Sequence, residues 1–240
     1  MYFEAKNNTD YDNWSSFYDY LFEEFLASYH FSDEVSCRKH LSSLKPHGTM
    51  LWDSYRKKEV LVDYDHKLTQ DAYILRYGPL YIDGIYKILQ SIDSIERINF
   101  EGKPELSFFS AGPAIEVIGF FQWYVKEKIP LRRGKWDFTN LPKPESFSLN
   151  LFDKQKWGHS RKIVKKSLNT YLIHQELSSP KIIDNKINIF NYQRIKVGVS
   201  SKIILFQNCL NELLSQGETE VLLDCLANII KQSLSKEGLL

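Results

Sequence analysis

Apolar side chains recur at three- and four-residue spacing over residues 10–30, where Trp14, Phe17, Tyr18, Leu21, Phe22, Phe25 and Leu26 form one stripe. Asp19, Glu23 and Glu24 lie on the opposite face. This spacing predicts an amphipathic helix capped by Asp10 or Asp12. A second short helix is expected over Ser36–Leu44, ended by Pro46-His47-Gly48. Met50–Val62 is ambiguous, and Glu59–Asp63 reads as a short strand or part of a helix. Residues 68–92 are strongly aromatic, with Tyr73, Tyr77, Tyr81 and Tyr86 near one face. Gly78-Pro79 interrupts that pattern, so two helices are expected, 68–77 and 79–92. Nothing in residues 1–92 alternates as a strand.

The texture changes near residue 96. Glu105–Ser110 is a short apolar run, followed by Ala111-Gly112-Pro113 and then by helical periodicity over Ala114–Tyr124. Leu106–Val125 thus predicts a buried strand, a tight turn and a helix. Arg132–Lys143 reads as loop. Ser146–Asp153 alternates as a strand, and Lys156–Gln175 is helical. A turn is expected at Pro180–Asn185, then strands at Ile187–Asn191 and Lys202–Asn208 and a helix at Glu218–Ser233. Gly238-Leu-Leu reads as the start of a fifth strand. This alternation implies parallel strands joined by crossover helices. The expected fold is a Rossmann-like α/β domain over residues 96–240, with about four to five strands. Residues 1–95 form a helical N-terminal extension.

Composition narrows the class little further. Of 240 residues, 43% are hydrophobic, enough for one sizeable core. The formal net charge is +1, so contact with nucleic acid or a membrane surface would need a local patch. Cys37, Cys209 and Cys225 show neither disulfide nor zinc-ribbon spacing, and the six histidines show no ligand spacing. No metal is therefore assigned. Without an apolar signal core or an apolar run of membrane-spanning length, a cytoplasmic location and no membrane partner are expected. Neither a serine-nucleophile elbow nor a phosphate-binding GxxxxGK[ST] loop is present.

The residues that could carry chemistry lie at the ends of the expected strands. Small residues between a parallel strand and its helix let a ligand approach backbone amides, and Ser110-Ala-Gly-Pro-Ala partly meets that need. Asp153 closes the next strand, where an acid can accept hydrogen bonds from ribose hydroxyls. It could equally cap the following helix. Phe108-Phe-Ser-Ala-Gly-Pro-Ala-Ile-Glu, Leu151-Phe-Asp, Phe190-Asn and Ile203-Ile-Leu-Phe-Gln-Asn, taken in order, resemble the motifs of class I S-adenosylmethionine-dependent methyltransferases. The resemblance spans about residues 105–240.

The resemblance implies that Ser110, Ala111, Gly112, Pro113 and Ala114 pass beside the methionine end of S-adenosylmethionine. It further implies that Asp153 meets ribose, Asn191 meets adenine, and Gln207–Asn208 border the transfer site. Asn208, Asn211 and Glu212 become candidates for the acceptor-facing rim. The chain departs from the pattern in three places. Phe108 stands near the family's usual acid, and Ser110 and Ala114 replace usual glycines. Glu116 could stand in for the missing acid if the helix start turns it inward; otherwise it is an ordinary first-turn acid. The family's terminal strands also have no counterpart, which would expose the flank of strand four and leaves three alternatives open: the helical N-terminal part covers that edge, a protein partner or second copy covers it, or the domain is a truncated form.

These features leave three readings open. One is a methyltransferase, in which transfer depends on alignment more than on an acid–base pair. The second is an inactive scaffold or partner-binding subunit. The third is a nucleic-acid-binding module using Lys154, Lys156, Arg161, Lys162, Lys165 and Lys166, which the Arg132-Arg-Gly-Lys-Trp136 loop could join. The tyrosine stripe could lid the cofactor site or simply pack on the sheet domain.

Overall fold

The computed structural model describes residues 15–57, 62–154, 156–189, 200–206 and 219–239. Four helices come first: α1 (Ser15–Ala27), α2 (Glu34–Ser43), α3 (Lys45–Arg56) and α4 (Lys67–Ile95). Then follow β1 (Glu105–Phe109), α5 (Glu116–Trp123) and a π turn over Tyr124–Lys128. A two-residue hairpin comes next, β2 (Leu131–Arg132) with β3 (Lys135–Trp136). The remaining elements are β4 (Ser148–Asp153), α6 (Gly158–His174), β5 (Lys181–Lys186), β6 (Ser201–Phe206), α7 (Thr219–Ser233) and β7 (Leu234–Leu239).

The main sheet has five strands in the order β5-β4-β1-β6-β7, all paired in parallel. From β1 the chain steps outward through β4 to β5, then returns to the other side of β1 for β6 and β7. This reversal between β1 and β6 is the Rossmann-like arrangement.

Alternation along the strands divides the core between the two faces. Leu106, Phe108, Leu149 and Leu151 join a large core with α4, α5 and α6. Phe109, Phe152 and Ile204 turn the other way and pack with Leu222 and Ile229 of α7. On that second face the Phe109 and Phe152 rings stack at 4.5 Å. The strand–turn–helix expected at Leu106–Val125 is present as β1, a turn and α5.

Four expectations are corrected. Pro79 does not divide residues 68–92; α4 is one helix of 29 residues with Pro79 inside it. Pro79 is exposed, so the backbone carbonyl it leaves unpaired can reach water. Neighbouring Gly78 lies against Leu21, whose Cδ2 would be 3.0 Å from a Cβ there, so packing with α1 supports the continuous helix. Pro46 opens α3 instead of ending the previous segment, since proline suits the first turn of a helix. The third strand is Lys181–Lys186, where a turn is expected, and the described part of the expected strand, Ile187–Ile189, is irregular. Among the described residues β5 is an edge strand paired only with β4 and largely open to solvent, so its Lys, Asp and Asn residues hide the usual apolar alternation. Finally, the fifth strand starts at Leu234, directly after α7, and pairs with β6, so the flank of the fourth strand is covered within the chain.

Of the segment Glu59–Asp63, only Val62 and Asp63 are described, and they are irregular. Within the expected loop 132–143, Arg133 and Gly134 have φ of 51° and 75°, the left-handed pair that a tight two-residue hairpin requires. Among the described residues no helix is long and apolar enough to cross a membrane.

Candidate functional site

The turn after β1 takes a left-handed backbone at every second residue. Ser110, Gly112 and Ala114 have φ of 50°, 50° and 66°. Only one of the three is glycine. An L side chain in that region costs about 1–2 kcal/mol, because Cβ crowds the following carbonyl. The path is held from several sides. The Ala111 N–H donates to the Phe152 carbonyl at 3.1 Å, and the Ala114 N–H to the Ala111 carbonyl at 2.7 Å.

Gly112 joins the turn to β4 and α6. Its N–H donates to Asp153 Oδ2 at 2.8 Å, and its carbonyl accepts from Arg161 Nε at 2.9 Å. The Trp157 ring lies beside it, 3.6 Å from where a Cβ would stand. Trp157 in turn packs against the rings of Tyr64 and Tyr73, at 5.0 and 5.4 Å between centroids. Asp153 therefore reaches the turn from the end of β4.

Glu116 points inward. It is 6% exposed, and its Oε2 has no hydrogen-bond partner among the described residues. Burial raises its pKa from 4.5 to about 8, against a smaller opposing pull from the Arg161 cation. Arg161 is itself buried; Nη1 donates to Asp184 Oδ1 at 2.9 Å, while Nη2 has no partner among the described residues. Phe108 lies in the large core.

The N-terminal helices hold the other wall. Gln70 of α4 donates through Nε2 to the carbonyls of Tyr64 and Lys156, both at 2.8 Å. Its Oε1 accepts from the Ser160 N–H and hydroxyl at 3.2 and 3.0 Å, satisfying the start of α6. Asp71, fully buried, accepts a hydrogen bond from the Tyr29 hydroxyl on Oδ2, and its Oδ1 lies 3.0 Å from His159 Nε2. His40 Nε2 stands 3.7 Å from the same carboxylate. Sequence reasoning missed Gln70 and Asp71. They sit 86 and 88 positions from the partners they hold, and nothing in local spacing marks them.

The tyrosine stripe packs. Tyr73, Tyr81 and Tyr86 are buried, and Tyr77 stacks on Tyr81 at 5.7 Å. The basic loop at 132–136 lies away from the start of α6: Trp136 Nε1 donates to the Gln175 carbonyl, at the far end of that helix. Asn191, Gln207, Asn208, Asn211 and Glu212 fall outside the described residues.

No family model matches the chain, and no curated protein matches it. Among solved structures it is similar to a Methanococcus maripaludis protein provisionally assigned as an S-adenosyl-L-methionine-dependent methyltransferase. That likeness covers 71% of this chain and 73% of the other, at 12% identity and a TM-score of 0.34.

Proposed function

We propose that the corner built from β1, the 110–115 turn and Asp153 binds S-adenosylmethionine, and that the domain is of methyltransferase type. The observation that carries this reading is the left-handed backbone kept at Ser110 and Ala114, where the side chains oppose it. Strain of this kind persists where the backbone path itself is used. Ser110, Ala111, Gly112 and Ala114 carry small side chains, as a close approach of a ligand to this backbone path requires.

When bound, S-adenosylmethionine supplies a methyl group activated by a sulfonium for in-line displacement. This chain's part is to hold and orient. Glu116 is the group for the cofactor's ammonium: its Oε2 lacks a partner, and a cation beside it would draw off the proton it keeps up to about pH 8. The Asp153 carboxylate is the acceptor for ribose hydroxyls. Asn191 and Gln207 complete the cofactor's surroundings, and Asn208, Asn211 and Glu212 form the acceptor rim. Isothermal titration with S-adenosylmethionine at pH 6.5 and 8.5 tests this. Binding that tightens at the higher pH is expected; absence of binding at millimolar cofactor overturns it.

One observation favours a second reading, an inactive scaffold. Both polar groups of Gly112 are already taken, by Asp153 and Arg161, and Trp157 covers its Cα. A chain that ignores the cofactor and sediments as a dimer or larger complex would establish this scaffold reading.

A further inference from the structure

Beside Asp153 and Trp157, between the start of α6 and the end of β5, lies a cleft of about 750 Å³. Its lining includes Lys156, Arg161, Lys162, Lys165, Lys166 and Lys186. Among the described lining residues only Asp153 and Asp184 oppose these six cations. The chain as a whole carries a net charge of +1, so this is a strong local concentration of positive charge.

The cations differ in role. Arg161 is a fixed charge in the cleft wall; its side chain is 9% exposed, held by the Gly112 carbonyl and Asp184. Lys165 shares Asp184, at 2.5 Å. Lys156, Lys162, Lys166 and Lys186 are exposed, and none forms an ion pair with a described residue. Four ammonium groups around a concavity repel one another, and an anion there would relieve that repulsion. The N-terminus of α6, at Gly158, also opens on the cleft and adds the positive end of a 17-residue helix.

We infer that this cleft binds a compact, phosphate-bearing ligand of nucleotide size. The volume lies within the range of small-ligand pockets. An extended nucleic-acid track is disfavoured by the placement of the second basic segment. Trp136 is bonded to Gln175, at the other end of α6, about 25 Å along the helix from Gly158 at 1.5 Å per residue. The two basic segments therefore do not merge. This inference stands on the cleft's own charges and not on the cofactor reading.

The test is isothermal titration in low salt with inorganic pyrophosphate, ADP, adenosine and a single-stranded RNA, each without S-adenosylmethionine. Pyrophosphate and ADP are expected to bind, adenosine at least about tenfold more weakly, with affinity falling as salt rises. Lys162 and Lys166 are exposed, so the double variant Lys162→Glu/Lys166→Glu keeps the fold and should lose at least about tenfold in ADP affinity. Lys135→Glu, in the hairpin, should leave it unchanged. Pyrophosphate binding without any preference for ADP would make the ligand a free phosphate compound; preference for ADP would make it a nucleotide. No binding of either at millimolar concentration, equal binding by the double variant, or tight RNA binding without ADP binding would overturn the proposal. Loss of ADP binding with S-adenosylmethionine binding intact removes this inference alone, and the converse removes the cofactor reading alone.

Discussion

The Asp153 carboxylate accepts the N–H of Gly112 at 2.8 Å, so the end of β4 and the turn after β1 are fixed to each other. This bond is charge-assisted and partly buried, the kind whose loss leaves a donor unpaired. Asp153→Ala should cost about 1–3 kcal/mol in chemical denaturation. Asp153→Asn keeps an oxygen that can accept the same N–H and should lose less than half as much. Equal losses in the two variants would mean that the carboxylate's contribution lies elsewhere.

Ser110 and Ala114 hold φ of 50° and 66°, a region glycine enters freely. Glycine also loses more freedom on folding, so the gain is the difference of two terms. Ser110→Gly and Ala114→Gly should each stabilise by about 0.5–1 kcal/mol. Gly112→Ala, at φ 50° with Trp157 3.6 Å away, should destabilise by about 1–2 kcal/mol. Thermal melts of the three variants separate these signs.

The corner of the fold was legible because each of its parts leaves a local trace. β1 is a short apolar run, the turn is a cluster of small residues, and Asp153 ends an alternating strand. The inward turn of Glu116 left no such trace, since an acid in a helix's first turn also suits the helix dipole at the surface. Only packing against α4 and α6 decides it. β5 was missed because its residues are those of an exposed sheet edge, while the apolar Ile189 that follows is used in the second core. Gln70 and Asp71 were invisible for a different reason: their hydrogen bonds reach across the chain to α6, and only the folded structure brings these segments together.

Glu116 gives a pH signature. Its pKa is raised in the folded protein from 4.5 to about 8. Between those values the unfolded chain releases a proton that the folded chain keeps, so stability falls as pH rises from about 4.5 towards 8, then levels off. Below 4.5 the group makes no difference. Over the window the loss is on the order of a few kcal/mol. Glu116→Gln removes the titration and keeps the shape. It should match the parent near pH 4 and exceed it at pH 8 in denaturant midpoint. An identical pH profile for the two proteins would show that Glu116 ionises normally.

The close crossing of α4 and α5 rests on Gly119. A Cβ placed there would stand 2.5 Å from the Ile82 carbonyl oxygen and 3.2 Å from its carbonyl carbon and Cα. These are backbone atoms of a long helix and cannot swing aside as a side chain would, so the two helices must separate. Since α4 also carries Gln70 and Asp71, separation should disturb the start of α6 as well. Gly119→Ala should therefore cost about 3 kcal/mol, the upper end for an overpacked core. Among the described residues nothing lies within 4 Å of the Cβ position of Gly84, in the same α4. There the ordinary helix preference applies, and Gly84→Ala should gain about 0.5–1 kcal/mol. Urea denaturation of the two variants should thus move in opposite directions; a loss of less than about 1 kcal/mol for Gly119→Ala would show that α4 and α5 can part without penalty.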